Sequence, residues 1–161
     1  MLALTCPDTE KIKQATQMLK AYFKNVEALK NLLFLMGNHE NQQVRQLSCV
    51  YLRKIICSLW VQLTPEEQVM SKNHLLVCYE KEPITIVKRA IADAIGSLSK
   101  LLIPNKEWNE LFKFVFDYTS APELVKKELA MILLSVIIEY FSLTEINTYY
   151  DSLNTIIEQY L

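Results

Sequence analysis

Four stretches of this chain open in the same way, and that recurrence constrains its fold more than any other feature. "IKQATQMLKAYF" starts at Ile12, "VRQLSCVYLRKI" at Val44, "VKRAIADAIGSL" at Val87 and "VKKELAMILLSV" at Val125, with offsets of 32, 43 and 38 residues. Each begins with a β-branched residue followed by Lys or Arg, then sets small or apolar residues at helical spacing. Val44, Leu47, Ser48, Tyr51, Leu52 and Ile55 share one face of the second copy; Ala90, Ile91, Ala94, Ile95 and Leu98 do so in the third, and Leu129, Ile132, Leu133 and Val136 in the fourth. That spacing is the mark of an amphipathic helix, and a period of this length suits two-helix repeats of the HEAT class.

Proline and hydroxyl residues set the boundaries. Pro7, Pro65, Pro83, Pro104 and Pro122 stand where helical periodicity starts or stops. Thr64-Pro65-Glu66-Glu67, Ser120-Ala121-Pro122-Glu123 and Ser142-Leu143-Thr144-Glu145 read as capping boxes, and Gly37 as the C-terminal cap of "VEALKNLLFLMG". These marks predict helices over 8–23, 26–36, 41–60, 65–80, 84–102, 106–118, 122–141 and 144–160, with no strand and no linker. Short turns make consecutive helices antiparallel neighbours. The predicted fold is therefore all-α, a right-handed α-solenoid of about four HEAT-type antiparallel helix pairs filling residues 1–161 as one segment. A single pair cannot bury both its faces, so stacked neighbours build a continuous core. Small residues at Ala15, Ser48, Ala90 and Ala130 let the paired helix come close. A compact bundle is the alternative, and it leaves the repeated opening unexplained.

Composition excludes several function classes. The formal net charge is −1, without the basic patch that nucleic-acid binding needs. No apolar run reaches the ~18 residues of a membrane span; "MILLSVII", the nearest, is closed off by Lys126, Lys127, Glu128 and Glu139. Cys6, Cys49, Cys57 and Cys78 form no CxxC, and His39 and His74 make no ligand spacing with them. Reduced thiols packed as small core residues are expected, with Cys49 and Cys57 on a shared buried stripe, and no cofactor or metal is implied. Acid–base chemistry needs a partnered His or converging carboxylates; neither His39 nor His74 has a recognisable partner, so the chain reads as a non-enzyme.

The order of three segments narrows the class. "ATQMLKAYFKNVEALKNLLFLM", then "NQQVRQLSCVYLRKIICSLWVQLTPEEQ", then "VKRAIADAIGSLSKLLIP" resembles the N-terminal region of the importin-β (karyopherin) nuclear transport receptors. Ala15, Leu19 and Lys20 match the first helix of that pattern; Val44, Arg45, Gln46, Tyr51, Leu52, Arg53, Ile56 and Trp60 match the next. "RAIADAIGSLSK" is most similar to the importin-four branch, whose yeast counterpart carries ribosomal proteins and histones. The resemblance covers residues 8–103; beyond them only the repeat continues. Receptors of the family carry many more repeats, and the apolar end at Ile156, Ile157 and Leu161 lacks a polar closing helix, so a fragment of a longer chain is expected.

The resemblance implies a mechanism. Inner helices of the first repeats would grip the small GTPase Ran in its GTP state, FG-repeat nucleoporins would meet the outer groove, and protein cargo would bind further along. The receptor would shuttle between cytoplasm and nucleus, contacting no nucleic acid and no membrane. A HEAT-repeat scaffold or adaptor without GTPase binding is the other reading. On this resemblance the contact residues are inner-helix polar positions: Glu27, Asn31 and Asn38 in the first pair, Lys72 and Asn73 in the second, and Glu110, Lys113 and Asp117 in the third. "SKNHLL" matches a stretch of the family's second inner helix, which favours Lys72 and Asn73. Phe34 falls opposite the Leu29–Leu33–Met36 stripe, either as an exposed apolar contact or, more often for such a residue, packed on the adjacent repeat, while Trp60 and Trp108 belong to the core.

Overall fold

The computed structural model describes residues 21–142, with Met18, Asn154 and Glu158 besides. Among them stand six α-helices and no strand: α1 (Val26–Asn38), α2 (Gln42–Leu59), α3 (Pro65–Lys81), α4 (Thr85–Leu102), α5 (Asn109–Thr119) and α6 (Leu124–Ile137). Single 3₁₀ turns extend α2 through Trp60–Gln62 and α6 through Ile138–Tyr140. The helices expected at 8–23 and 144–160, and the box completed by Glu145, lie outside the described residues. The chain forms two compact units, Met1–Leu98 and Ser99–Leu161, and the division falls within α4.

Local chemistry explains most of the helix ends. The carboxamide oxygens of Asn25 and Asn41 accept from the amides of Glu27 at 3.0 Å and Gln43 at 2.8 Å, opening α1 and α2. At α3 the expected capping box is complete: Thr64 Oγ1 accepts from Glu67 N–H at 3.3 Å, and Glu67 Oε2 accepts from Thr64 N–H at 2.9 Å.

Three expectations about helix ends fail. Gly37 does not cap α1; it lies inside the helix, and extended His39 ends it by donating to Leu35 O at 3.2 Å. What Gly37 provides is clearance, since a Cβ there would stand 2.6 Å from Cys78 Sγ and 3.0 Å from two ring atoms of His74. Ser120 does not open α6, because its own N–H still closes the last turn of α5 on Phe116 O at 3.2 Å. The helix therefore starts at Leu124, behind Glu123, whose side chain makes no cap bond. Nor does α5 begin at 106. Glu107 N–H reaches Leu102 O and Lys106 N–H reaches Ile103 O, the bond pair of a Schellman motif, with Lys106 at φ 57° in the place that glycine usually takes.

In the first unit α1 packs on both α2 and α3, burying Leu29, Met36, Leu52, Ile56, Leu75 and Tyr79 completely or nearly so. Arg53 Nη1 and Asp93 Oδ2 pair at 3.3 Å, and Cys57 Sγ donates to Ser97 O at 3.0 Å, so α2 also lies along α4. Thus α1 beside α3 and α2 beside α4 make two layers. Leu52 and Ser48 are fully buried as expected, but Leu47 and Tyr51 are only half-buried. Tyr51 sits at the margin of the packed face, against the Phe23 ring at 4.7 Å. Cys49 is buried while Cys57 is exposed, because eight residues turn an α-helix about 80° past a whole number of turns.

In the second unit α5 packs on α6. Its core gathers Trp108, Leu111, Val115, Leu133 and Ile137. Trp60 and Trp108 are both core, as expected.

Candidate functional site

An α-helix that packs on one side only presents its remaining stripe to solvent. On α1 that stripe runs through Glu27, Asn31, Phe34 and Asn38, all exposed. On α3 it runs through Glu66, Met70, Asn73, Val77 and Glu80. Because α1 and α3 are packed neighbours of one layer, the two stripes border one face. Four of the sequence-derived contact residues fall on it: Glu27, Asn31, Asn38 and Asn73. Lys72 does not join them. It is half-buried and lies two positions from His74, on the opposite flank of α3. Glu110, Lys113 and Asp117 share an exposed stripe of α5 in the second unit.

Several polar groups of this face are held locally. Asn31 Nδ2 donates to Tyr22 Oη, and Asn38 Nδ2 donates to Phe34 O at 2.9 Å. Lys30 Nζ stands 2.7 Å from Glu67 Oε1 and 3.2 Å from Glu27 Oε1, joining the start of α3 to α1. Its hydrogen bonds to Glu67 and Glu27 raise the Lys30 pKa. The same bond to Lys30, followed by the Thr64 amide, holds the Glu67 carboxyl below the usual range. These side chains remain about a third exposed or more, so the pairs position more than they stabilise.

Between the helices runs a groove of about 410 Å³, floored by Leu33 and Leu63 and lipped by Phe34 and Met70. Phe34 is 62% exposed, the first of the two outcomes open to it from the sequence, and Met70 is 70% exposed. Met70 is the groove-lining residue that sequence reasoning missed. The available signal was an apolar residue on the polar arc of α3, and within "EEQVMSKN" it passes for ordinary helix filling.

The groove ends at His74, which also borders a more polar cleft of about 440 Å³ with Gly37, His39, Arg45, Cys78 and Glu82. His74 Nε2 lies 3.0 Å from Leu33 O, within hydrogen-bond distance of that carbonyl acceptor. Cys78 Sγ packs 3.4 Å from the same nitrogen, and desolvation, ahead of the Glu82 charge, pushes its pKa up to about 11. A thiol so raised is a poor nucleophile. Among the described residues no three His, Cys, Asp or Glu side chains gather as a metal site.

Stacked antiparallel helices with an apolar groove set among polar side chains define a helical-repeat binding protein. Residues 15–80 match the Importin-beta N-terminal domain, and residues 83–161 match the family described as IPO5-like, TPR repeats. The chain belongs to the importin-β family, and its all-α, HEAT-type repeat is the fold of that family. It is 36% identical over 134 residues to the probable importin subunit beta-4 of Schizosaccharomyces pombe, which covers 83% of this chain and 13% of that protein. Importin-4 of Mus musculus is 27% identical over 139 residues, covering 84% of this chain and 12% of its own length. The probable importin-5 homolog of Dictyostelium discoideum is likewise 27% identical, over 145 residues, covering 85% and 14%. The chain thus spans about an eighth of the length of the curated relatives it matches.

Proposed function

We propose that this chain is the GTPase-gripping part of a nuclear import receptor, and that the open face of α1 and α3 contacts a Ran-type GTPase in its GTP state. The observation that carries this reading is a coincidence of place. The segment matching the importin-β N-terminal domain, 15–80, contains both helices whose open stripes meet at the Phe34–Met70 groove. Discrimination needs no catalysis: the γ-phosphate orders the GTPase's switch segments, and a surface touching those segments reads the nucleotide. The contact set is Glu27, Asn31, Asn38 and Asn73 on this face, with Glu110, Lys113 and Asp117 on α5; half-buried Lys72 lies off the face. In the whole receptor, FG-repeat nucleoporins and protein cargo, with ribosomal proteins and histones as candidates, bind elsewhere. The receptor shuttles between cytoplasm and nucleus.

Titrating the chain with Ran carrying a GTP analogue, and separately GDP, at moderate salt tests this. The GTP form is expected to bind at least about tenfold tighter, a difference near 1.4 kcal/mol. Glu27→Lys, at an exposed position of the face, is expected to weaken it without unfolding the chain, since charge reversal at an interface replaces attraction with repulsion. Equal affinity for both forms, or no binding at high micromolar concentration with the fold intact, favours a scaffold that ignores the GTPase.

A further inference from the structure

Exposed polar residues are the obvious grip on a partner, yet the face between α1 and α3 has a different centre. Phe34 and Met70 stand 62% and 70% exposed on facing helices, over a floor of Leu33 and Leu63 that is 6% and 5% exposed. Two large apolar side chains flanking one groove mark an interaction surface, and a methionine lip adapts to the shape of what enters. We propose that this groove receives one apolar side chain of the bound GTPase, carried next to a lysine or arginine, and that Phe34 and Met70 supply most of the grip. The proposal rests on the receptor reading given above.

Charge selects that occupant. At the groove's rim one ammonium, Lys30, serves two carboxylates, Glu27 at 3.2 Å and Glu67 at 2.7 Å. The rim trio therefore keeps one net negative charge, and the exposed Glu66 precedes it on α3. A basic residue beside the entering apolar side chain answers that charge, whereas a carboxylate would be repelled. Asn31 and Asn38 are already engaged with Tyr22 and with Phe34 O, so they fit the polar rim that surrounds an apolar anchor.

The test compares the wild-type chain with a Phe34→Ser, Met70→Ser double variant against the GTPase loaded with a GTP analogue. Both sites are exposed, and circular dichroism with a urea melt checks that the fold is kept. Affinity is expected to fall by about tenfold or more, while the matched control Leu124→Ser, Val125→Ser, at two exposed apolar side chains of α6 outside the contact set, changes it less than about threefold. If the double variant binds as tightly as wild type, the groove proposal is overturned while the receptor reading stands. If wild type binds neither nucleotide state, the receptor reading falls and takes the proposal with it. If light scattering shows the double variant dissociating a wild-type dimer, a second copy occupies the groove, and the proposal is equally overturned.

Discussion

One guanidinium bolts together two turns of the first unit, while in the second unit backbone bonds close the turns after α4 and α5. Arg45 Nη1 donates to His39 O and Glu40 O at 2.9 Å each, in the turn between α1 and α2. Its Nε and Nη2 donate to both oxygens of Glu82, also at 2.9 Å, in the turn between α3 and α4. Glu82 Oε1 further accepts from Ile84 N–H at 3.1 Å. In the second unit, the turn after α4 is closed by the Lys106 and Glu107 amides and the turn after α5 by those of Ser120 and Ala121. Ser99 Oγ and Trp108 Nε1 are buried there and find no hydrogen-bond partner among the described residues. The difference shows where position matters: the bolted turns belong to the layer of α1 and α3, whose spacing defines the groove.

Breaking the bolt should have the largest effect. The side chains of Arg45 and Glu82 are 13% and 5% exposed, so Arg45→Ala leaves a buried carboxylate uncompensated and should cost about 3–5 kcal/mol in urea melts. Lys126→Ala, which removes the exposed pair with Glu123 in the second unit, should cost less than about 1 kcal/mol. Similar losses would show that the bolt is no stronger than a surface pair.

Alkaline pH should strain the first unit next. Burial, ahead of the nearby Glu82 charge, pushes Cys49 to about 12 and Cys78 to about 11, from an ordinary 9.0. Above about pH 9 the unfolded thiols ionise while the folded ones do not. The stability that their burial confers is thus fully present below pH 9 and is lost as pH rises toward 11 and 12. The unfolding free energy from urea melts should fall between pH 8 and 10.5, by on the order of 2–4 kcal/mol. An unchanged midpoint would mean that the thiols are solvated.

Gly37→Ala probes the same spacing from inside the layer. The added methyl meets Cys78 Sγ, and overpacking of this kind costs about 1–3 kcal/mol. Adding Cys78→Ala should recover most of the loss; no recovery would place the strain elsewhere. In the second unit, Lys106→Gly should stabilise by about 0.5–1 kcal/mol, because φ 57° suits glycine better than lysine. This is the smallest effect and the one of opposite sign.

Most of the fold was legible because it is local. Periodicity located all six described helices, and the Thr64 box fixed the start of α3 to the residue. What failed depended on partners distant in sequence. Gly37 lies 41 residues from Cys78 and 37 from His74, the side chains that demand its missing Cβ, so its place near a helix end suggested a cap instead. Arg45 was noticed as part of a motif, but nothing local pairs it with Glu82. Lys106 adopts a glycine's conformation without being glycine, which hid the true start of α5. Of the site, the open stripe of α1, Phe34 included, followed from helical spacing. Met70 and the Lys30–Glu67 bridge needed the packing of α1 on α3.

Hydrogen exchange of the chain alone, with the GTP-analogue-loaded GTPase, and with the GDP form tests the central claim most directly. Slowed exchange is predicted across Glu27–Asn38 of α1 and Met70–Val77 of α3 with the GTP form only, leaving Arg53–Cys57 of α2 and Arg89–Asp93 of α4 unchanged. Binding accompanied by protection on α2 and α4, or by equal protection with GDP, would contradict the inner-face grip.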